Sequence, residues 1–218
     1  DFCVVDLSNF YLDIIKDRLY CDEKDGPSRR SAQTALYLIL DTMTKIFAPI
    51  LCFTCDEIWQ AMPHRKGDDG RNVVFNEMNK PFTEYGLGDQ EMERWNTLIQ
   101  LRTGVNAALE AARADKKIGK SLEAHVTLLT DKPIVESSLG ATYNRFGSQW
   151  ADLFLVSEVT AVEDAALYAT AAETPVEGVR VLVEEAAGVK CPRCWKHTDS
   201  KHPDGLCPRC AAVVETLI

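Results

Sequence analysis

Leu7, Phe10, Tyr11, Ile14, Ile15 and Leu19 recur at three- and four-residue steps and predict a helix over residues 3–20. Leu36, Ile39, Leu40, Met43, Ile46 and Phe47 predict a second over 29–47, after a loop at 22–28 that contains Gly26 and Pro27. Pro49 stops that helix, and Thr54-Cys55-Asp56-Glu57 reads as a capping box opening a short third helix through Ile58 and Trp59. Residues 63–90 show Pro and Gly clusters and little periodicity, so they read as an extended excursion. Trp95, Leu98, Leu101, Val105, Leu109 and Ala112 mark a fourth helix over 89–115, long enough to pack antiparallel with the second. Trp59, Trp95 and Trp150 lie on these apolar patterns and read as core.

Past Gly119 the period changes. Runs at 126–129, 153–159 and 179–183 predict strands, with a helix near 141–150 and an alanine-rich acidic connector with some helix at 161–173. The predicted fold is mainly α: an antiparallel helical bundle over 1–118, a small α/β module over 119–188, and a four-cysteine knuckle over 189–218.

That last segment carries the sharpest chemistry. Cys191-Pro-Arg-Cys194 and Cys207-Pro-Arg-Cys210 are two Cys-x-x-Cys turns at the spacing of a tetrahedral site, and four thiolates suit one structural Zn²⁺. Iron is the alternative metal, two disulfides the metal-free alternative, and His197 and His202 read as spare. Cys3, Cys21, Cys52 and Cys55 sit among helical patterns and read as buried free thiols in a reducing cytoplasm.

The 218 residues are 46% hydrophobic and 26% charged, enough for a core on a soluble chain. No apolar run reaches membrane-spanning length, and the start Asp1-Phe2-Cys3 is neither a leader nor a natural initiator, so the chain reads as a piece of something longer. A net charge of −9 argues at first against a nucleic-acid partner, but the charge is uneven. Residues 152–188 are net −7, whereas 94–123 and 190–210 are each net +3 before metal. Basic surface therefore flanks the acidic stretch on both sides.

Within the basic stretches, Lys16 and Arg18 lie beside the first helical stripe, and Arg29 and Arg30 precede the second helix, where their charge opposes the dipole and favours an external anion. Arg102 lies on the fourth helix. Arg113, Lys116, Lys117 and Lys120 gather at its end, where cations are favoured on electrostatic grounds alone. Trp195 directly follows a knuckle, with Arg193 and Lys196 beside it. Two readings stay open for it: stacking on an unpaired base, or capping the small core of the knuckle.

Phe10-Tyr11-Leu12-Asp13, Lys16 through Asp22, Ala48-Pro49-Ile50-Leu51, Phe53-Thr54, Glu57-Ile58-Trp59 and Ile118 through Ala124, closed by the two knuckles, resemble the C-terminal part of bacterial isoleucyl-tRNA synthetases over essentially the whole chain. The Ala-Pro-x-Leu and Glu-x-Trp segment is shared with the valyl, leucyl and methionyl relatives, so the knuckles point to the isoleucyl branch. Cys52, Cys55 and Asp56 depart from the residues commoner in the family. The resemblance implies a helical anticodon-binding domain followed by a zinc module, a monomer whose partners are the tRNA(Ile) anticodon stem-loop and an upstream catalytic domain of the same polypeptide. ATP-dependent aminoacylation and editing then belong to the full-length enzyme. Neither His-x-Gly-His nor Lys-Met-Ser-Lys-Ser occurs here, which implies that this piece catalyses nothing alone. Lys16, Arg18, Arg29, Arg30, Arg102 and Arg113 become candidate phosphate contacts, and Trp195 with Arg193 or Lys196 the base-reading end. The rival readings are a zinc-containing interaction module unrelated to aminoacylation and a DNA glycosylase with a similar finger; the second needs an N-terminal proline that Asp1 does not supply.

Overall fold

The computed structural model describes residues 1–200 and 202–217. A π-wound segment, Cys3–Tyr11, runs directly into α1 (Leu12–Ile14) and α2 (Lys16–Cys21). There follow α3 (Pro27–Phe47), α4 (Cys52–Ala61), α5 (Asp89–Ala114), β1 (Ala124–Thr130), α6 (Gly140–Phe146), α7 (Trp150–Leu153), β2 (Glu158–Val162), α8 (Ala165–Thr170), β3 (Ala172–Glu173), β4 (Val179–Glu185), β5 (Val189–Lys190), β6 (His197–Thr198) and α9 (Pro208–Glu215). A mostly helical part thus precedes a small mixed sheet and the cysteine segment, as the patterning predicts. The wider winding at 3–11 escapes sequence reading because four-residue apolar steps, such as Leu7 to Tyr11, keep one face under either winding.

Two compact units make up the chain: Glu23–Gly86, and Asp1–Asp22 with Leu87–Ile218. The boundaries expected at 118 and 188 both fall inside the latter. Among the described residues no helix is long and apolar enough to cross a membrane.

In the 23–86 unit, Pro27 stands at the first position of α3, where its missing N–H has no helical partner to lose. Ala48, Cys55, Trp59, Met62 and Val73 form the core, with Tyr37 and Ile58 packed against it. Trp59 is wholly buried, and its indole N–H donates to the Asp69 carbonyl at 3.1 Å. The 63–80 excursion is stitched rather than loose. The Asp69 N–H donates to Asn76 Oδ1 at 2.8 Å while Asn76 Nδ2 returns a bond to the Asp69 carbonyl at 3.0 Å. The capping box is not used: α4 starts at Cys52, because backbone bonds from Leu51 to Phe47 and from Cys55 to Leu51 carry the turn through and leave Thr54 inside the helix. Asp56 instead accepts from the Val73 N–H at 3.1 Å.

In the other unit, α5 buries Leu98, Leu101, Gly104, Val105, Leu109 and Ala112, the expected stripe. Trp95 is only half-buried, set between the rings of Phe10 and Phe146. Gly104 is required by packing: a Cβ there would lie 2.7 Å from Thr174 Cβ. The four-stranded sheet has the order β2-β1-β4-β3, β1 pairing parallel to β2 (Val126 with Val159) and antiparallel to β4 (Val126 with Val183). The strand expected over 153–159 is corrected: Leu153 ends α7, Leu155 turns with φ of 58°, and β2 begins at Glu158. Leu153, Phe154 and Val156 are buried at this turn, and a short apolar run carries no period that separates a strand from a helix end.

Candidate metal centre and nucleic-acid interface

Local backbone rules bring the four knuckle cysteines together. Cys191 and Cys194 lie on the connection between β5 and β6, whose close approach requires Gly188: it holds φ of 88°, and a Cβ would strike the Thr198 carbonyl. Cys207 caps α9, its sulfur accepting the Cys210 N–H at 3.4 Å with Pro208 in the first turn, and Cys191 Sγ accepts the Cys207 N–H at 3.4 Å. All four are buried, and their sulfurs lie within 4.8 Å of one another. The Cys194 and Cys207 sulfurs are 3.8 Å apart, matching the edge of about 3.8 Å of a tetrahedron with metal–sulfur bonds of about 2.3 Å. No disulfide links any of the eight cysteines. Cys21 and Cys55 are buried as expected, but Cys3 and Cys52 are exposed, each at the outer start of a helical segment.

Electrostatics set the cluster up for a cation. Burial pushes the Cys191 thiol up, but the N–H groups of Cys194, Cys207 and Arg193 more than offset it and bring it down to about 6. Burial, with the charge of neighbouring thiols, pushes Cys194 and Cys210 up. One thiolate is therefore easily formed, and Cys194 and Cys210 resist ionisation without a metal. His197 and His202 lie outside the cluster; His202 Nδ1 accepts from the Asp204 N–H at 3.3 Å.

Both knuckle arginines clamp this segment to α2, Arg193 at its last turn and Arg209 chiefly at its first. Arg193 Nη1 donates to the Cys21 carbonyl at 2.6 Å and Nη2 to the Tyr20 carbonyl at 3.4 Å, carbonyls that the helix end leaves without partners. Arg193 Nη1 also lies 3.5 Å from Cys210 Sγ. Arg209 pairs with both carboxylate oxygens of Asp17, Nη2 to Oδ1 at 2.8 Å, and reaches Asp22 at 3.5 Å. Burial pushes the Asp17 carboxyl up, but the Arg209 guanidinium outweighs it and holds it below the ordinary aspartate value. Its stabilisation is therefore fully present above that value and is lost as pH falls through the lowered one. Arg209→Gln is expected to cost about 1–2 kcal/mol, between an exposed and a buried pair, and to raise amide exchange of Cys191 and Cys210 without changing metal content. This clamp was missed in the sequence, although the repeat itself, Cys-Pro-Arg-Cys twice, places an arginine identically in each knuckle.

Beside the clamp lies a groove of about 470 Å³ whose walls are mainly apolar. Four of the nine sequence-stated RNA candidates line it: Lys16, Arg193, Trp195 and Lys196. Trp195 is 59% exposed and holds φ of 66°, a strained conformation for a bulky residue, fixed by its N–H donating to the Cys191 carbonyl at 2.9 Å. Of its two open readings, capping the knuckle is set aside: that small core is built from the cysteines, Cys21 included, with Leu206. The other basic candidates divide by what they touch. Lys196 pairs with Asp152, and Arg102 donates to the Leu153 carbonyl at 3.0 Å over the Phe10 ring. Arg113 bonds Ser121 Oγ at 2.6 Å and pairs with Glu110, and Arg18 donates to Gln149 at 3.3 Å. Lys16 is exposed, with Asp13 at 2.8 Å. Arg29 and Arg30 lie in the first turn of α3, in the 23–86 unit.

The family described as "Anticodon-binding domain of tRNA ligase" matches residues 1–128. The isoleucine-tRNA ligase of Geobacter sulfurreducens is 42% identical over 219 residues, covering 98% of this chain and 22% of the relative. That of Brachyspira hyodysenteriae is 42% identical over 222 residues, with the same coverage, and that of Natranaerobius thermophilus 38% over 223 residues, covering 99% of this chain and 23% of the relative. The chain therefore spans less than a quarter of the length of these relatives.

Proposed function

Because this chain belongs to the anticodon-binding domain family of tRNA ligases, we propose that it selects tRNA(Ile) for an isoleucine-tRNA ligase by holding the anticodon stem-loop. ATP-dependent aminoacylation and editing belong, in this reading, to parts of the polypeptide outside this chain. The observation that carries it is the convergence of Lys16 and Trp195, 179 positions apart, on one groove beside the cysteine cluster. Cys191, Cys194, Cys207 and Cys210 hold one Zn²⁺. With four protein thiolates the ion has no open position, so it supports the platform and polarises no substrate. Trp195 presents a base-stacking face, and Lys16, Arg18, Arg29, Arg30 and Arg113 meet phosphates. The Arg102 and Lys196 side chains are mostly buried, 15% and 17% exposed, and Arg193 is bonded to the carbonyls at the end of α2, so we assign these three to holding the platform.

Filter-binding titrations of the zinc-loaded chain against tRNA transcripts that differ only in the anticodon test this reading. Preference for the isoleucine anticodon is expected, and equal affinity for all transcripts overturns it. Trp195→Ala is expected to cost about 1–3 kcal/mol of binding with an unchanged salt slope. Lys16→Ala is expected to shallow the slope by about one counterion.

A further inference from the structure

A third Cys-x-x-Cys spacing lies away from the metal cluster, at Cys52 and Cys55. Both positions depart from the residues commoner in the family, so the pair is a property of this chain. α4 begins at Cys52, which puts Cys52 in the first position of the helix and Cys55 nearly one turn further on. Helix geometry sets Cα atoms three residues apart at about 5 Å, inside the range of about 4.4–6.8 Å that a disulfide spans. The Cβ atoms of such a pair stand about 5–6 Å apart against about 3.5–4.5 Å in a disulfide, so closing the bond draws the first turn in by about 1–2 Å. That turn can adjust: Leu51 before it is outside the helical region, with φ of −114° and ψ of 51°, and no side-chain cap holds it.

The two thiols differ as an attacking and a resolving thiol must. Cys52 is exposed in the run Ile50-Leu51-Cys52-Phe53, whose other members are exposed too, so a reagent in solution reaches it directly. No acid lies in the first turn to repel an attacking sulfur anion. Cys55 is 3% exposed and packs in the core with Ala48, Trp59, Met62 and Val73. Burial, with the charge of Cys52 adding to it, pushes the Cys55 thiol up, so it rests as S–H beside Cys52 and shielded from solvent.

Independently of the anticodon reading, we propose that Cys52 and Cys55 form a redox-active dithiol, Cys52 attacking and Cys55 resolving, whose substrate is a low-molecular-weight disulfide. With glutathione disulfide, the Cys52 thiolate attacks one sulfur, the bond from Cys52 to glutathione forms as the reagent's S–S bond breaks, and one glutathione thiolate leaves. Cys55 then releases its proton to water and attacks the Cys52 sulfur; the Cys52–Cys55 bond forms and the second glutathione leaves as its thiolate. Two protein thiols are oxidised, one disulfide is reduced to two thiols, and reduced glutathione reverses both steps.

The test incubates the zinc-loaded chain in glutathione buffers of stepped oxidised-to-reduced ratio, quenches with acid, alkylates, and reads peptide masses with zinc content followed in parallel. Cys3 is the internal reference, because it is exposed but has no cysteine one turn further on. As the ratio rises, the peptide holding Cys52 and Cys55 is expected to lose two hydrogens and carry no glutathione, to regain them in reduced buffer, and to leave zinc content unchanged, while Cys3 keeps one glutathione. Early quenching of the unaltered chain should trap glutathione on Cys52 before the two hydrogens are lost, an assignment that needs no substitution. In Cys55→Ala, Cys52 should hold glutathione as stably as Cys3; in Cys52→Ala, the buried Cys55 should stay unmodified over the same period. If Cys52 of the unaltered chain keeps its glutathione as Cys3 does, Cys55 does not resolve it and the proposal fails. It fails equally if Cys52 stays unmodified in buffers that modify Cys3.

Discussion

Removing the metal from the Cys191, Cys194, Cys207 and Cys210 cluster is expected to unfold residues 190–212 and leave α5 and the four-stranded sheet folded. Little in the segment stands without an ion. β5 and β6 are two residues each, α9 has eight, shorter than a helix that holds alone in water, and among the described residues the buried groups beyond sulfur are Ala211 and Val213, with Leu206 partly covered. Four thiolates and Zn²⁺ carry a net charge of −2, and Arg193 at 3.5 Å from Cys210 Sγ offsets part of it. Structural zinc sites of this type contribute on the order of 10–16 kcal/mol of apparent binding energy near pH 7, so chelation removes most of what orders the segment. Amide exchange should read this directly, with protection lost at Cys191, Cys207 and Cys210 and retained at Leu101, Val105 and Val126. The Cys194 and Cys210 thiols are pushed up, so metal has to displace their protons, and affinity falls as the pH is lowered. Protection that survives verified removal of zinc would show that the clamp onto α2, not the ion, holds the knuckle.

Much of this arrangement is legible in the sequence, for reasons that differ by segment. The Cys-x-x-Cys spacing makes the four-cysteine cluster legible because the geometry is local: each pair lies on one turn, and only the meeting of two turns is tertiary. The stripe of α5 is legible because twenty-six residues of helix average over exceptions. The run at 153–159 is too short for that, and its backbone reverses at Leu155, whose φ no pattern of apolar residues reveals. Charge and position single out the basic candidates, and the structure separates them by partner. Arg102 bonds a backbone carbonyl away from the groove, Arg193 bonds two from the groove wall, and Lys16 stands exposed at the groove beside Asp13. Which cation meets another part of the protein is a property of tertiary contact, and Arg209 with Asp17, 192 residues apart, is beyond any local rule.

A second large effect is expected far from the cysteines. Asp41 is wholly buried in the 23–86 unit, with Lys45 Nζ at 3.0 Å, Arg65 Nη2 at 2.8 Å and Asn79 Nδ2 at 2.7 Å, while Asp68 approaches Lys45 at 3.8 Å. The Lys45 side chain is only 4% exposed. Asp41 thus neutralises a buried ammonium and ties the 63–80 excursion to α3. Asp41→Ala removes three partners at once and leaves Lys45 paired only with the more distant Asp68, so the unit should lose about 3–5 kcal/mol, the range for breaking one side of a buried pair. By contrast, the Arg71–Asp69 pair sits on an arginine side chain that is 80% exposed, and Arg71→Ala should change stability little. Amide exchange of Cys55 and Trp59 in increasing denaturant reports on this unit, since both are buried in its core and the Trp59 indole lies 5.2 Å from Lys45. A double variant, Asp41→Leu with Lys45→Met, should recover much of the loss, because an apolar pair of similar volume needs no counter-charge. If the single substitution costs under about 1 kcal/mol, water or Asp68 already solvates Lys45, and the network does not hold the excursion in place.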